Sequence, residues 1–227
     1  MKVAILQSNY LPWKGYFDLI ASCDKFILFD HVQYTKNDWR NRNLIKSKQG
    51  LSWITIPTGQ NINRAINEVY VNNVIWKRKH LTSFICNYSK AKHFHEIYEL
   101  IKPLYLTEEN HLSTINQERI QLICDYLNIK TKISTSTDYE IRGETKNEVL
   151  KNICLQAGAS IYLSGPSAKS YIEPYLFSQN NISLEWMSYT SYPSYPQLWG
   201  TFNHHVSIID LLFNCGMESR KFMLNQK

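Results

Sequence analysis

The sequence predicts an α/β protein with a mainly parallel sheet, helices on its faces and a helical insertion. Three observations lead to this class. Short apolar runs rich in β-branched residues recur along the chain, segments of helical length separate them, and the first run is followed at once by a polar turn and a helix. The chain has 227 residues, of which 44% are hydrophobic, enough for one substantial core. We therefore expect a single domain over residues 1–227, with a helical subregion at about 76–128.

The first strand, helix and second strand predict the strand–helix–strand unit on which the sheet is built. Lys2–Leu6 is a continuous apolar run, which parallel strands buried on both faces require. After a short helix, a second run at 25–29 is closed by Asp30. Ligands of such sheets bind beyond the carboxyl ends of the strands, where helix amides carry partial positive charge. Asp30 is a candidate catalytic residue that could hold a ribose hydroxyl; the alternative is that it caps the next turn.

The turn after the first strand is the first candidate binding segment. Its glycine allows the backbone and a ligand to approach closely. The candidate binding residues in and around this turn are Gln7, Asn9, Tyr10, Trp13, Gly15 and Tyr16.

The remaining elements continue the alternation. Strands separated by helical patterns of this length imply right-handed crossovers and a Rossmann-like parallel sheet. The predicted strands are 51–57, 132–135, 160–164 and 183–186. The predicted helices are 80–91, 94–105, 112–127, 146–157, 168–179 and 206–213.

A dense polar and aromatic segment, QYTKNDWRNRN at 33–43, follows the second strand. Arginine forks bind phosphate oxygens in pairs, and asparagine amides suit sugar hydroxyls or a base edge, so the segment has the groups that a diphosphate-sugar site needs. We expect a loop above the same crevice as the first turn. The alternative is a β-hairpin leading into 53–57 with its polar groups in water. The candidate residues are Gln33, Tyr34, Lys36, Trp39, Arg40, Asn41, Arg42 and Asn43.

A second polar turn, SGPS at 164–167, also follows a predicted strand and precedes a predicted helix. Hydroxyls and free amides in that position repeat the anion-binding pattern of the first turn. The alternative is that the serine at 167 caps the helix. The candidate residues are Ser164, Gly165, Ser167, Lys169 and Tyr171.

The C-terminal part is rich in aromatic residues and proline between 189 and 199, which suits sugars and nucleobases as well as core packing. His204 and His205 precede the last helix and are candidate general bases, because imidazole titrates near neutral pH. Gln197 is a candidate binding residue. Asp210 is expected on the helix surface or as a cap rather than as a histidine partner.

Charge and composition limit the classes of partner that the protein is expected to bind. A net charge of +6 favours an anionic partner, and nucleotide-linked sugars, tRNA and anionic membrane surfaces all qualify. The charge is modest and no RNA-recognition motif occurs, so a stable nucleic acid partner is not expected and an RNA-binding module ranks last. No apolar run of membrane-spanning length and no signal-peptide pattern is found, which predicts a cytoplasmic protein. Five scattered cysteines argue against a zinc site, and no metal is expected.

Long motifs spread over nearly the whole chain resemble the WbqC-like family of bacterial surface-polysaccharide gene clusters. They are LQSNYLPWKGYFDLI, FDHVQYTKNDWRNRN, YLSGPSAKSYI and YPQLWGTFNHHVSIIDLLFNCG. The resemblance implies a part in O-antigen production and transfer of a glycyl or aminoacyl-type group onto an amino sugar. PWKGYFDLI is also similar to the H-x-G-H turn of nucleotidyltransferase-like folds, with Trp13 and Tyr16 at the histidine positions, which implies nucleotide binding without the phosphate-stabilising imidazoles.

The sequence therefore favours an acyltransferase or an ATP-dependent amide ligase acting on a nucleotide-linked amino sugar. No G-x-S-x-G elbow, Cys-His signature or P-loop is present, which argues against a covalent acyl-enzyme. The acyl group would arrive activated, as acyl-CoA or aminoacyl-tRNA, or ATP would activate it. The alternative is a non-catalytic nucleotide-sugar-binding protein of polysaccharide assembly.

Overall fold

Two β-sheets organise the protein, whose structure is a computed structural model that describes residues 1–224. The strands are β1 (Lys2–Leu6), β2 (Lys25–Leu28), β3 (Arg42–Ser47), β4 (Gly50–Thr55), β5 (Lys132–Thr135), β6 (Ile161–Ser164) and β7 (Ser183–Trp186). The larger sheet has the order β5-β2-β1-β6-β7, and every pairing in it is parallel. The predicted α/β, Rossmann-like class is confirmed.

Seven α-helices connect and cover these strands: α1 (Lys14–Ala21), α2 (Ile75–Tyr88), α3 (Phe94–Ile101), α4 (Leu112–Tyr126), α5 (Lys146–Gln156), α6 (Pro174–Ser178) and α7 (Ile208–Cys215). Side-chain oxygens cap two of them. Thr145 accepts from the Glu148 amide at the start of α5, and Ser207 accepts from the Ile209 amide at the start of α7. In the described part of the chain, no helix has the length and apolar character needed to cross a membrane.

The two faces of the larger sheet carry separate cores, because successive side chains of a strand point to opposite sides. Ala4 and Phe26 face the larger core, which contains residues of α1, α2, α3, α4 and α7. Val3 and Ile27 face the smaller core, which is completed by α5 and α6. Helices on both faces explain why the strands are apolar on both sides.

The chain reverses direction at the middle of the sheet. It moves from β1 outward to β2 and β5, then returns to place β6 on the other side of β1. Ligands of doubly wound sheets bind beyond the carboxyl ends of the strands at this switch point. The turns after β1 and β6, both predicted from the sequence, therefore lie at one edge and flank the switch point.

Two sequence predictions were wrong in detail. Residues 168–179 do not form one helix: a 3-10 turn, Pro166–Ser170, precedes the short α6. Glu173 is extended, with φ −96° and ψ 98°, because the residue before a proline is pushed out of the helical region. In addition, β3 was not predicted, and it pairs with β4 as an antiparallel hairpin. The hairpin alternative for the end of 33–43 is therefore realised from residue 42 onward.

Candidate functional site

A cavity of about 170 Å³ lies beside the turn that follows β1. It combines three segments that are distant in sequence: that turn, the 33–43 segment, and the stretch before α7. Its lining residues are Asn9, Pro12, Trp13, Trp39, Asn43 and His205. All of these except Pro12 were candidates from the sequence.

Hydrogen bonds hold the first turn beneath the 33–43 segment. The Tyr10 amide donates to the Trp39 carbonyl at 2.8 Å, and the Asn43 amide group donates to the Tyr10 carbonyl at 3.1 Å. Ser207 completes the arrangement from the far end of the chain, where its hydroxyl donates to the Leu11 carbonyl at 2.8 Å. The expectation that 33–43 lies over the first turn agrees with this geometry.

Asp30 is enclosed by the protein. It is 2% exposed, and its Oδ1 accepts from the Ser8 amide at 2.8 Å. Its Oδ2 accepts from the Ser113 hydroxyl and, at 3.5 Å, from the Gln117 amide group. Both oxygens already have donors, which argues against a contact with a ribose. The one backbone amide among these donors in the described chain belongs to Ser8, in the turn after β1, so the alternative in which Asp30 caps the turn that follows it is not the arrangement seen.

The two asparagines of the segment contribute to the fold. Asn41 Nδ2 donates to the Ile56 carbonyl at 2.8 Å, and its Oδ1 accepts from the Asn37 amide at 3.1 Å. Asn43 Oδ1 accepts from the Leu44 amide at 2.8 Å, while its Nδ2 is bonded to the first turn. The polar density that suggested sugar recognition is therefore explained in part by bonds to backbone groups.

Three other candidates in this segment also have partners within the chain. The Tyr34 hydroxyl is buried and lies 2.7 Å from Thr58 Oγ1. The Lys36 amine is bonded to Gln60. Gln33 forms an isolated bridge with Ala65. None of the three lines the cavity among the described residues.

The two arginines have different environments. Arg40 Nη1 donates to Asp38 Oδ2 and its Nη2 to Gln7 Oε1, both at 3.1 Å. Within residues 1–224, the guanidinium of Arg42 has no hydrogen-bonding or ion-pair partner, and its Nε is buried. It lies 4.0 Å from the ring centroid of Trp53. The terminal Nη groups of Arg42 are therefore available for an anion, whereas its Nε–H is buried.

Gly15 serves the packing of Trp13. A Cβ at position 15 would lie 2.3 Å from the indole, well inside van der Waals contact. The indole is also surrounded by rings, with centroids of Tyr189 at 5.2 Å, Tyr192 at 5.8 Å and His205 at 5.9 Å. The group that approaches Gly15 closely is thus the Trp13 side chain, which lines the cavity, and not a ligand as expected.

Tyr10 and Tyr16, both candidate binding residues, point into the interior. The Tyr10 hydroxyl lies 2.6 Å from that of Tyr105 and 2.8 Å from His80 Nδ1. The Tyr16 hydroxyl donates to the Gln7 carbonyl at 2.9 Å. Burial raises the pKa of both tyrosines well above the usual value, so their hydroxyls stay protonated. Both side chains are at most 2% exposed, which places them away from a ligand.

The two histidines differ in position. His205 is exposed and lines the cavity. The ring of His204 packs at 4.5 Å against Phe202, and its Nδ1 is buried without a partner among the described residues. Burial, then the charges of Lys14 and His205, lower the pKa of His204, so its ring is neutral at pH 7. His205 is therefore the histidine that can contact a ligand in the cavity.

Gln197 and Asp210 belong to one buried network. The Gln197 amide group donates to Asp210 Oδ1 and to the Asn203 carbonyl, both at 2.8 Å. Asp210 also accepts from the hydroxyls of Tyr195, at 2.7 Å, and Tyr88, at 2.8 Å. The prediction of a surface or capping position for Asp210 was wrong, because this network draws it fully inside.

The second turn lies at the same sheet edge but outside the cavity. Ser164 is buried, whereas Gly165 is partly exposed and Ser167 is exposed. Lys169 Nζ lies 5.8 Å from the ring centroid of Trp186, and the Tyr171 ring carries the Lys146 amine at 3.7 Å. The pKa of Lys146 is lowered by burial and then by the charge of Arg40, so this region neighbours the 33–43 segment.

Lys14 is a buried cation that the sequence reasoning missed. It is 2% exposed, and its Nζ donates to the Phe222 carbonyl at 3.0 Å and lies 4.4 Å from the ring centroid of Tyr192. Burial lowers its pKa from 10.5 to about 8, with Asp18 opposing the shift. The spacing of Lys14 and Asp18, four residues apart on an apolar helix, was the signal available in the sequence.

The residues that line the cavity carry hydrogen-bond donors as well as acceptors, since each indole has an N–H group. Asn9 Oδ1 is buried and has no partner among residues 1–224. The His205 ring adds an acceptor nitrogen in its neutral form. No carboxylate or amine is among the described lining residues, and no trio of His, Cys, Asp or Glu side chains in the described chain could hold a metal ion. The cavity can thus both donate and accept hydrogen bonds, as contacts with an amine or a hydroxyl require.

Comparison with known proteins agrees with the family that the motifs resemble. The model of the WbqC-like protein family matches residues 7–222. The uncharacterized protein Rv1507c of Mycobacterium tuberculosis is 47% identical over 225 residues, which span 98% of this chain and 97% of that protein. No solved structure matches the chain. The chain belongs to the WbqC-like protein family.

Proposed function

We propose that the protein is a cytoplasmic acyltransferase or ATP-dependent amide ligase of surface-polysaccharide biosynthesis. It attaches a glycyl or aminoacyl-type group to the amino group of a nucleotide-linked amino sugar. The observation that carries the proposal is the cavity lined by the exposed His205 and by the indoles of Trp13 and Trp39. An imidazole nitrogen in that position could take the proton that an attacking amine loses.

The size and lining of the cavity support a single sugar ring. Pockets for drug-sized ligands occupy about 300 to 1,000 Å³, whereas this cavity measures about 170 Å³. Trp13 and Trp39 offer flat apolar faces that suit the C–H surfaces of a sugar, and Asn9 suits its polar rim. The nucleotide part of the substrate would remain outside.

The proposed reaction forms one C–N bond. The amine nitrogen attacks the acyl carbonyl, and the ring of His205 takes the proton that the nitrogen loses. The tetrahedral oxyanion collapses as the acyl carbon's bond to its leaving group breaks. That group is a thiolate for acyl-CoA, the terminal ribose hydroxyl for aminoacyl-tRNA, or AMP when ATP has activated the acid.

The experiment offers each donor to the purified protein. Glycine with ATP, glycyl-CoA and glycyl-tRNA are incubated separately with UDP-linked and dTDP-linked amino-deoxy sugars, and mass spectrometry detects the glycylated sugar. We expect product with one donor class, and a rate at least about 100-fold lower for His205→Ala. His95→Ala, an exposed histidine away from the cavity, is the control. Absence of acylated sugar with every donor would contradict the proposal.

A non-catalytic sugar-binding protein is the second candidate. It is favoured by the fact that His205 is the sole titratable side chain among the described residues lining the cavity. General acid-base catalysis often uses a second titratable group. This candidate implies sugar-nucleotide binding with no turnover for any donor.

A further inference from the structure

An exposed aromatic surface extends outward from the cavity. Trp39 and Trp53 are each 45% exposed, and their ring centroids lie 5.7 Å apart with a 41° angle between planes. Trp39 also lines the cavity. Trp53 lies on β4 opposite Leu44 of β3. The indole surface therefore runs without a break from the cavity to the face of the hairpin.

A guanidinium without an acidic partner borders this surface. Arg42 stacks on Trp53 at 4.0 Å and makes no hydrogen bond or ion pair with the described residues. The other arginine of the segment, Arg40, is neutralised by Asp38. Stacking a guanidinium on a ring leaves its in-plane N–H groups free, and these match the oxygens of a phosphate.

We propose that Trp39, Trp53 and Arg42 form a second subsite, outside the cavity, that binds a nucleoside diphosphate. The indoles stack on the base and Arg42 binds the diphosphate. The inference rests on the proposed function for the group that fills the cavity, a sugar carried on that diphosphate. The sequence pattern indicated arginine for phosphate but not Trp53, because the pairing of Trp39 with Trp53 depends on the β3–β4 hairpin.

The observations favour a nucleoside as the carrier of the diphosphate over a lipid. Flat rings stack on any nucleobase, because every base has a π-face. A prenyl chain requires a continuous apolar groove, whereas Arg42 covers one face of Trp53 here. A lipid-linked diphosphate is the competing outcome of the test.

Binding is measured by calorimetry and by quenching of tryptophan fluorescence, without an acyl donor. The ligands are UDP, dTDP, GDP, uridine, inorganic pyrophosphate and farnesyl diphosphate in detergent. We expect at least one nucleoside diphosphate to bind more tightly than pyrophosphate and farnesyl diphosphate. Trp53→Ala should weaken it about 10-fold and leave pyrophosphate unchanged. Arg42→Gln should weaken the diphosphates about 10-fold and uridine little.

The matched control is Leu51→Ala. Leu51 lies on the same face of β4 as Trp53, two residues away, and is exposed to a similar degree, 44%. Its substitution should leave every affinity unchanged. Circular dichroism confirms that each variant is folded, and Trp53→Phe, which keeps a ring, should recover part of the lost affinity.

Three results would overturn the inference: no binding of any nucleoside diphosphate, affinities unchanged by both Trp53→Ala and Arg42→Gln, or tighter binding of farnesyl diphosphate. The outcome is independent of acyl transfer. Nucleotide binding with these variant effects but no acylated sugar contradicts only the proposed function. Acylation with unaffected nucleotide binding in the variants contradicts only the subsite.

Discussion

The turns after β1 and β6 have similar sequences of polar residues and glycine, yet the fold uses them differently. The first turn is fixed from several directions: Asp30 accepts from its Ser8 amide, and Asn43 donates to its carbonyls. The second continues into a five-residue 3-10 turn, and its Ser167 is exposed. Both flank the switch point, so the difference comes from tertiary partners and not from position in the sheet.

The comparison shows that a carboxylate of the same chain can occupy a turn whose sequence suggests an anion-binding site. In the first turn, the carboxylate of Asp30 occupies a place at a backbone amide that a phosphate takes in other folds. The turn is therefore held by groups of the protein itself, and the open space lies in the adjacent cavity. In the second turn, Ser167 and Lys169 remain exposed to solvent.

The largest effect is expected for Asp30→Ala. Buried donors of Ser8 and Ser113 would lose their acceptor, and each such loss costs about 1 to 3 kcal/mol. We expect the free energy of unfolding, measured by urea denaturation, to fall by about 3 kcal/mol. Asp125→Ala, at an exposed aspartate, should change it by less than about 0.5 kcal/mol. Equal effects of the two substitutions would show that the Asp30 carboxylate does not hold the first turn in place.

Gly15, near the start of α1, and Gly165, in the second turn, offer a direct test of how tightly the two regions are packed. A methyl group at Gly15 would collide with the Trp13 indole, which is hemmed in by other rings, whereas at Gly165 it would meet only the Tyr189 hydroxyl at 3.8 Å. We expect Gly15→Ala to lower the free energy of unfolding by about 1 to 3 kcal/mol. Gly165→Ala should change it by less than about 0.5 kcal/mol. Thermal denaturation that ranks the two in reverse order would contradict the packing role of Gly15.

A smaller effect is the pH dependence of folding stability that comes from Lys14, in the helix after the first turn. The folded-state pKa of Lys14 is about 8, below its usual 10.5, so between these values the unfolded chain binds more protons than the folded one. Stability from this group therefore rises as pH increases from 8 to 10.5, by up to about 1 kcal/mol per unit after allowance for solvent screening.

The difference between wild type and Lys14→Met reports this contribution together with those of Cys215 and His204, which sense the charge of Lys14. Titrating groups remote from Lys14 affect both proteins alike. Urea denaturation at pH 7, 8 and 9 should show wild type gaining stability relative to the variant above pH 8. A constant difference across the three pH values would show that the amine is not desolvated.

The smallest effect is expected in the second turn. Ser167 is exposed, and its side chain makes no cap to the 3-10 turn. Ser167→Ala should therefore change the midpoint of urea denaturation by an amount equivalent to less than about 0.5 kcal/mol. A loss above about 1 kcal/mol would mean that the second turn is as tightly held as the first, and the contrast between them would fail.

The sequence predicted the parallel sheet well because its strands are local apolar runs. Lys2–Leu6, Lys132–Thr135 and Ser183–Trp186 were predicted with the bounds that the structure has. Burial on both faces makes such runs continuous, so they stand out from the helices between them. The failed helix at 168–179 had a local cause that the sequence also contained, Pro174.

The candidate cavity was predicted in part. Trp13, Trp39 and His205 were singled out from their residue types, and the structure brings them together. Asn41 and Asn43 were expected to bind a ligand. Asn43 does line the cavity, but the amide groups of both residues donate to backbone carbonyls elsewhere in the chain, which no local pattern reveals. Hydrogen bonds over such separations depend on tertiary packing and are invisible in a sequence window.

The hydroxyl of Ser207 donating to the Leu11 carbonyl, across 196 positions, has a consequence for biosynthesis. A ribosome releases the first turn early but must translate almost the entire chain before its last partner emerges. Until then the indole of Trp13 lacks the histidine and tyrosine rings that shield it. The nascent chain therefore exposes an apolar aromatic surface for most of its translation. Chaperones bind surfaces of this kind.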